Sequence, residues 1–425
     1  MTFAALLLFA CTPDEPANFS SRQLIELDPN GPEAYPAPYG LDFGQQVVAG
    51  FDLDHDGVQE WAASAPSELF SVRYTEVWEG DEKLTARETD DADVIDYGFT
   101  LAAGGDTNGD SHGEFAIAHW RGLAGVWMEL ARSLEPADDV KVFLPEEVTF
   151  HIGPSTFLQV DGREHLLMTS YASTTRWRVD LFDLEGIEPG TDVVGGDHTL
   201  VFADDPLDSA VVGSVVPVDV DGDGTDEWVG GRSKAYVDGE GYSWICPART
   251  GLQIPDDCDE LGGGALGGRA GGRHAVGDLD GDGQPEIVAT YLSSDWEDVA
   301  HGEVHVVGLD GQVLAHIQGT RERQLGGSPL VFTGDDGTPW LVVAELNSYS
   351  SGTLVYGFRG DQLIGDGDEP TQLLDTDAAR VWTTGGVSLG FSMTTYRATP
   401  DAPLQLVMGE PKRGSGVVYV VDAPR

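Results

Sequence analysis

Basic residues are scarce in this chain: 23 Lys and Arg stand against 73 Asp and Glu, a formal charge of -50 over 425 residues. A field of that sign repels phosphate backbones and anionic headgroups, which excludes nucleic acid as a partner and argues against electrostatic attachment to a lipid surface. Cysteine is nearly absent, with three residues, and no Cys-x-x-Cys occurs to make a redox pair or a zinc knuckle. The apolar start from Thr2 to Ala10 falls far short of the roughly 20 residues that a spanning helix needs. No apolar stretch holds a 3.6-residue period; Leu123 to Leu134 comes nearest and needs only a turn or two of helix. A Walker sequence, a Rossmann fingerprint and a basic patch interleaved with aromatics are all missing. What remains is a chain that is 40% hydrophobic with 56 glycines, the composition of many short elements joined by tight turns.

Four stretches read almost alike: Asp52-Leu-Asp54-His-Asp56-Gly57-Val-Gln-Glu60, Asp106-Thr-Asn108-Gly-Asp110-Ser111-His-Gly-Glu114, Asp219-Val-Asp221-Gly-Asp223-Gly224-Thr-Asp-Glu227 and Asp278-Leu-Asp280-Gly-Asp282-Gly283-Gln-Pro-Glu286. Each offers oxygen ligands at positions 1, 3, 5 and 9 of a nine-residue loop, with a backbone carbonyl near position 7. A hard cation such as calcium needs that convergence, and glycine at position 6 permits the reversal that folds the loop over the ion. These sixteen residues are the candidate metal ligands, for three to four structural Ca2+ ions. The second loop reads as the weakest, because Ser111 stands where the others have glycine and Asn108 is neutral. An EF-hand is a poor fit, since position 12 is Ala63, Ile117, Gly230 and Ala289 rather than an acid. Four divalent ions would cancel eight of the fifty surplus charges, so the rest reads as a solvated acidic surface.

Self-similarity extends beyond the loops. Apolar runs flank each one, as in Val47-Val48-Ala49-Gly50 before the first and Trp61-Ala-Ala-Ser-Ala65 after it. Weaker copies pass through Asp161-Gly-Arg, Asp335-Asp-Gly337 and a turn near residue 399. The loop starts therefore lie 54 to about 64 residues apart, the length of one four-stranded propeller blade. Third strands follow at Tyr74–Trp78, Arg178–Phe182, Glu303–Val307, Leu354–Phe358 and Val417–Val421, rich in β-branched and aromatic residues. The fold class expected is all-β, a seven-bladed β-propeller with calcium-binding loops in its blades. Phe43-Gly44, the apolar run, the acidic loop and Ala65-Pro66, with Gly409-Glu-Pro411 near the end, resemble FG-GAP repeats. That resemblance, over roughly residues 22 to 425, implies a propeller of the integrin α type. The chain departs from the integrin pattern in carrying its full loops in units 1, 2, 4 and 5 and in having no long carboxy-terminal leg.

Residues 1–21 read as a signal segment and polar tether, and 22–425 as the propeller. Leu8-Phe9-Ala10-Cys11 resembles a bacterial lipobox, which makes Cys11 the lipidation site and a lipid anchor the membrane contact. An ordinary cleaved signal and a chance apolar start are the alternatives. The localisation expected is the bacterial cell envelope, as an outer-membrane lipoprotein or otherwise exported. In an oxidising compartment Cys246 and Cys258 would pair. Residues 22–27, with nothing else to pair with, are expected to complete the last blade and close the ring.

Gly386-Val-Ser388-Leu-Gly390 matches a nucleophile elbow, but no His follows it and it occupies a turn of unit 7. His301, Glu303 and His305 would share one side of an extended strand, which reads as a solvated face with a surface transition-metal site as the alternative. Among ten tryptophans, Trp61 and Trp228 read as inter-blade packing, whereas Trp120, Trp127, Trp244, Trp296 and Trp382 are candidates for stacking on sugars. The function expected is a calcium-binding scaffold or adhesion module for a protein or glycan, without catalysis. The alternative is a secreted polysaccharide lyase or hydrolase with its active site on one propeller face.

Overall fold

The computed structural model describes residues 24–36, 42–66, 73–89, 95–120, 126–135, 139–144, 151–173, 176–188, 190, 192–194, 199–201, 210–234, 242–248, 257–261, 272–291, 301–320, 324–345, 352–365, 369–384, 386, 388–411 and 416–425. The lipobox, Cys11 and Trp296 lie outside them. So do the side chains of Trp120 and Trp127.

The strands form seven separate sheets, each built on four antiparallel neighbours. Blade 1 holds Val47–Phe51, Glu60–Ala65, Arg73–Glu79 and Glu82–Thr89. Blade 2 holds Ile95–Gly105, Glu114–Trp120, Val126–Ala131 and Val140–Leu144. Blade 3 holds His151–Val160, Arg163–Ser173, Arg176–Asp183 and Thr199–Val201. Blade 4 holds Ala210–Val218, Glu227–Lys234, Tyr242–Pro247 and Asp259–Leu261. Blade 5 holds His274–Gly277, Glu286–Tyr291, Glu303–Val307 and Val313–Gln318. Blade 6 holds Leu325–Thr333, Pro339–Glu345, Leu354–Arg359 and Arg380–Thr383. Blade 7 holds Met393–Tyr396, Gln405–Glu410, Val417–Asp422 and, from the start of the chain, Ala34–Pro36. The first strand of each blade touches that of the next, and the seventh touches the first. The molecule is a closed, seven-bladed, all-β propeller.

Its stability is distributed. A separate apolar cluster fills each of the seven boundaries, for example Phe51, Leu53 and Val77 against Phe115 and Ile117 between blades 1 and 2, and Phe43, Trp61 and Tyr74 against Val407 and Val418 between blades 7 and 1. Because each blade is sandwiched, second strands are buried on both sides; all six residues of Glu60–Ala65 and of Glu286–Tyr291 are buried. This is why they read as unbroken small and apolar runs rather than alternating ones. The Phe-Gly turn of one blade meets the end of the preceding blade's second strand. A Cβ on Gly409 would lie 1.9 Å from the Gly44 carbonyl, and Gly44 itself has φ 84°. Gly409 requires glycine for want of space, and Gly44 for its left-handed backbone. Ser388 and Gly390 occupy the equivalent turn of blade 7, with φ 79° and 73°, so the elbow-like motif is structural.

Two expectations need correction. Of the segment 123–134, residues 126–134 are described and contain no helix: Val126–Ala131 is a strand, its apolar residues divided between the two faces of blade 2. The one-turn Gly360–Leu363 is the α-helix among the described residues, and no helix there is long and apolar enough to cross a membrane. The closing strand is also not 22–27. Leu24–Glu26 pairs in parallel with Arg380–Thr383 as a fifth strand of blade 6, whereas Ala34–Pro36 pairs antiparallel with Val417–Asp422 and completes blade 7. Tyr35 secures that position, its ring edge-on to Trp61 and Trp78 at 5.2 and 5.1 Å. Pro36 is tolerated because an edge strand does not need every N–H.

The misplacement has a regular cause. Before supplying the outer strand of blade 3, the chain lays Asp192–Val194 in parallel on blade 2; before that of blade 6, it lays Thr371–Leu374 in parallel on blade 5. Leu24–Glu26 does the same on blade 6 before Ala34–Pro36 enters blade 7. Each addition covers an otherwise exposed sheet edge and stitches two blades together.

Cys246 and Cys258 form a disulfide joining the third strand of blade 4 to the start of its fourth. Its loop closes over 12 residues, for which chain entropy gives about 3 kcal/mol. A Cys246→Ser/Cys258→Ser variant is therefore expected to lose stability on that scale in equilibrium denaturation. An unchanged midpoint would show that the short strand Asp259–Leu261 holds without its staple.

Candidate metal loops on the propeller face

All four acidic loops occupy the hairpin between the first and second strands of their blades, which brings them to one side of the ring. The position-9 glutamate opens the second strand and turns inward. Glu60, Glu114 and Glu286 are buried, and Glu227 is half-buried. One oxygen of each accepts the backbone N–H of position 2: Leu53, Thr107, Val220 and Leu279, at 2.9, 2.7, 3.0 and 2.7 Å. Position 1 accepts from position 6, as Gly57, Ser111, Gly224 and Gly283 donate to Asp52, Asp106, Asp219 and Asp278 at 2.9–3.1 Å. Position 3 accepts from position 5, and position 5 from position 7: Asp280 from Asp282 and Asp282 from Gln284, at 3.0 and 2.7 Å.

The backbone reverses at position 6, with φ 86° at Gly57, 72° at Ser111, 83° at Gly224 and 87° at Gly283. A second left-handed residue lies at position 4: His55, Gly109, Gly222 and Gly281. The sequence pattern carries that requirement as glycine in three of the four loops, and His55 hides it in the first.

These bonds use one oxygen of most carboxylates at positions 3, 5 and 9, whereas Asp106, Asp219 and Asp278 engage both of theirs. Asp52, Asp54 and Glu60 bring ligand atoms within 4.8 Å of one another, as do Asp219, Asp221 and Glu227 in blade 4 and Asp278, Asp280 and Asp282 in blade 5. Asp52 Oδ1 and Glu60 Oε1 are buried without a hydrogen-bond partner. Buried anionic oxygens left unpaired are costly, and a divalent cation satisfies several at once. Loops 1, 4 and 5 therefore fit a hard cation. Glu79, at the end of a third strand, joins Asp54 and Asp56 in loop 1 and was not marked by the motif. Burial pushes Glu60 up to about 8 and Glu114 and Glu286 up to about 7.

Loop 2 differs for a reason the motif does not show. The buried Arg132 guanidinium lies 3.5 Å from Glu114 Oε1 and donates to Thr107 Oγ1 at 3.2 Å. Asn108 Nδ2 also donates to Asp110 Oδ2 at 2.9 Å, occupying a carboxylate oxygen that a cation would want. Next to it, His112 Nδ1 lies 2.9 Å from Asp52 Oδ2 and its ring stacks on His55, which joins loops 1 and 2. The bond to Asp52 raises the His112 pKa.

Trp61 and Trp228 are buried in the boundaries between blades 7 and 1 and between blades 3 and 4. Trp244 and Trp382 are buried as well, in the boundaries between blades 3 and 4 and between blades 6 and 7, so neither offers a ring to a sugar. A serine–histidine arrangement does occur: His274 lies between Ser214 Oγ on Nδ1 and Ser243 Oγ on Nε2, both at 2.8 Å. It is a pin between blades 4 and 5 rather than a nucleophile and base. His274 is 4% exposed and burial lowers its pKa to about 4, so substrate has no route to it.

No protein-family model and no curated protein matches the sequence. Among solved structures, AofleA from Arthrobotrys oligospora is similar at 12% identity, covering 80% of this chain and 91% of that one, with a TM-score of 0.42. The Dos1 propeller is similar at 7% identity, 92% and 87% coverage and a TM-score of 0.46. The Penicillium chrysogenum α-L-arabinanase complexed with arabinobiose is similar at 11% identity, 92% and 99% coverage and a TM-score of 0.42.

Proposed function

We propose that this protein is a calcium-stabilised, exported propeller that presents a rigid face to a protein or glycan and turns nothing over. The observation that carries the reading is the recurrence of one carboxylate cradle at the same hairpin of blades 1, 4 and 5, with anionic oxygens converging in each. Ions held there neutralise carboxylates that the fold forces together and fix the loops of one face. A site saturated by protein oxygens has no position left with which to activate water, which favours binding over hydrolysis. Attachment to the envelope through Cys11 belongs to the same proposal, as does a propeller of the integrin type.

Calcium titration by calorimetry is expected to give three sites of similar strength, with loop 2 weaker because Arg132 already pairs with Glu114. Asp280→Ala should remove one site. Asp161→Ala should remove none, since the turn at Asp161 and Gly162 lacks the later ligands. Titration without heat or saturation would reject the ion. Binding to arrays of glycans and envelope proteins, with calcium and with chelator, tests the partner, and cleavage of a polysaccharide panel would replace the binding module with the lyase or hydrolase.

A further inference from the structure

The outer half of blade 5 carries a second donor set with different chemistry. His305 and His316 are cross-strand partners on Glu303–Val307 and Val313–Gln318, and Glu303 stands two residues before His305 on the same face. Their ligand atoms all lie within 4.8 Å of one another. Glu303 Oε2 is 3.3 Å from His316 Nε2 and 3.6 Å from His305 Nε2. Zinc–ligand distances of about 2.0–2.1 Å place neighbouring ligands of a tetrahedral ion roughly 3.3 Å apart, which these separations approach.

His305 is 2% exposed, yet neither of its ring nitrogens has a hydrogen-bond partner. Its ring packs against Tyr291, with centroids 4.3 Å apart. An unsatisfied buried imidazole is costly, and a cation on Nε2 would meet part of that cost. The tautomer of His316 is also set. Its Nδ1 lies 3.0 Å from Gln372 Oε1 on the added fifth strand, an amide oxygen that can only accept. Nδ1 therefore carries a proton, which leaves Nε2, the atom facing Glu303, to serve as the ligand. An outer partner of this type orients a histidine ligand. Glu303 and His316 are partly exposed, which leaves an ion a path from solvent.

From this geometry we infer that Glu303, His305 and His316 form a binding site for a divalent transition metal of the zinc class, independent of the acidic loops. Imidazole ligands select against calcium and magnesium, and three protein ligands leave a coordination position for water. By spacing alone His301 would join Glu303 and His305. Gly302, at φ 73°, breaks the extended geometry before the strand begins, and the second imidazole comes instead from the neighbouring strand.

The test is titration of chelator-stripped, calcium-replete protein with Zn2+, and with Co2+ as a spectroscopic probe. One equivalent of Zn2+ should bind, with cobalt giving the visible bands of a low-coordinate site. His316→Gln and Glu303→Gln should each weaken that equivalent tenfold or more, as outer-lying changes that leave the core intact, and His305→Ala should abolish it. His112→Ala should leave it unchanged, which separates it from the exposed His55–His112 pair. Asp280→Ala should remove a calcium site and keep the zinc site, so loss of one assignment is distinguishable from loss of the other. No zinc equivalent in the parent protein, or one that survives both His316→Gln and Glu303→Gln, would overturn the inference.

Discussion

Calcium added to the metal-free protein is expected to raise its melting temperature, and the gain should widen between pH 6.5 and pH 8. Burial lifts Glu60 from 4.5 to about 8 and Glu114 and Glu286 to about 7, so the folded state keeps protons that the unfolded chain has released. Stability contributed by a raised carboxyl pKa is present at low pH and lost as pH rises from the unfolded value through the folded one. Without metal, therefore, the protein loses stability as pH rises from 4.5 to about 8. His274 works in the opposite sense. Its pKa is lowered from 6.5 to about 4, so it favours the folded state increasingly up to pH 6.5 and adds nothing beyond. The fall is thus unopposed above pH 6.5. A cation takes the place of the protons and removes it, adding about 2.7 kcal/mol per site at a hundredfold excess over the dissociation constant. Scanning calorimetry at several pH values, with calcium and with chelator, reads this directly. Glu60→Gln should flatten the metal-free profile. A calcium effect that shrinks with rising pH would contradict the assignment.

The second large effect concerns closure. Removing the chain through residue 36 should cause aggregation or loss of cooperative folding, whereas removing it through residue 26 should leave a folded ring of lower stability. The longer deletion takes away Ala34–Pro36, exposes the Val417–Asp422 edge and empties the place of Tyr35 between Trp61 and Trp78. An uncovered edge of Val-Val-Tyr-Val-Val is a template for pairing with other chains. Tyr35→Ala offers a milder version, with an expected cost of about 2–4 kcal/mol. If both deletions melted alike and close to the full chain, the ring would not depend on its amino-terminal strands.

The acidic loops and the seven units were legible because both are periodic. A loop that must present oxygens at fixed positions, or a strand buried on both faces, leaves a repeated mark on the sequence. Features that depend on neighbours left none. Arg132 reaches Glu114 from the end of another strand, and Glu79 reaches loop 1 from a third. Leu24–Glu26, Asp192–Val194 and Thr371–Leu374 are three or four residues long, too short for a period, and their place is set by the sheet edge that receives them. Tryptophans gave the same difficulty. Trp244 and Trp382 look from sequence like candidates for a sugar platform, and blade packing alone decides that they are buried.

The two amino-terminal strands also determine how the ring bears load. Any pull applied to the chain before residue 24 enters first through Leu24–Glu26, which lies parallel to Arg380–Thr383, and only then through Ala34–Pro36. Tension is passed to two blades in succession, and the turn between the strands provides slack that must be drawn out before the second is stressed. Release of the first strand from blade 6 would leave blade 7 complete. A pull on this end would draw out the few residues between the two strands before blade 7 was stressed.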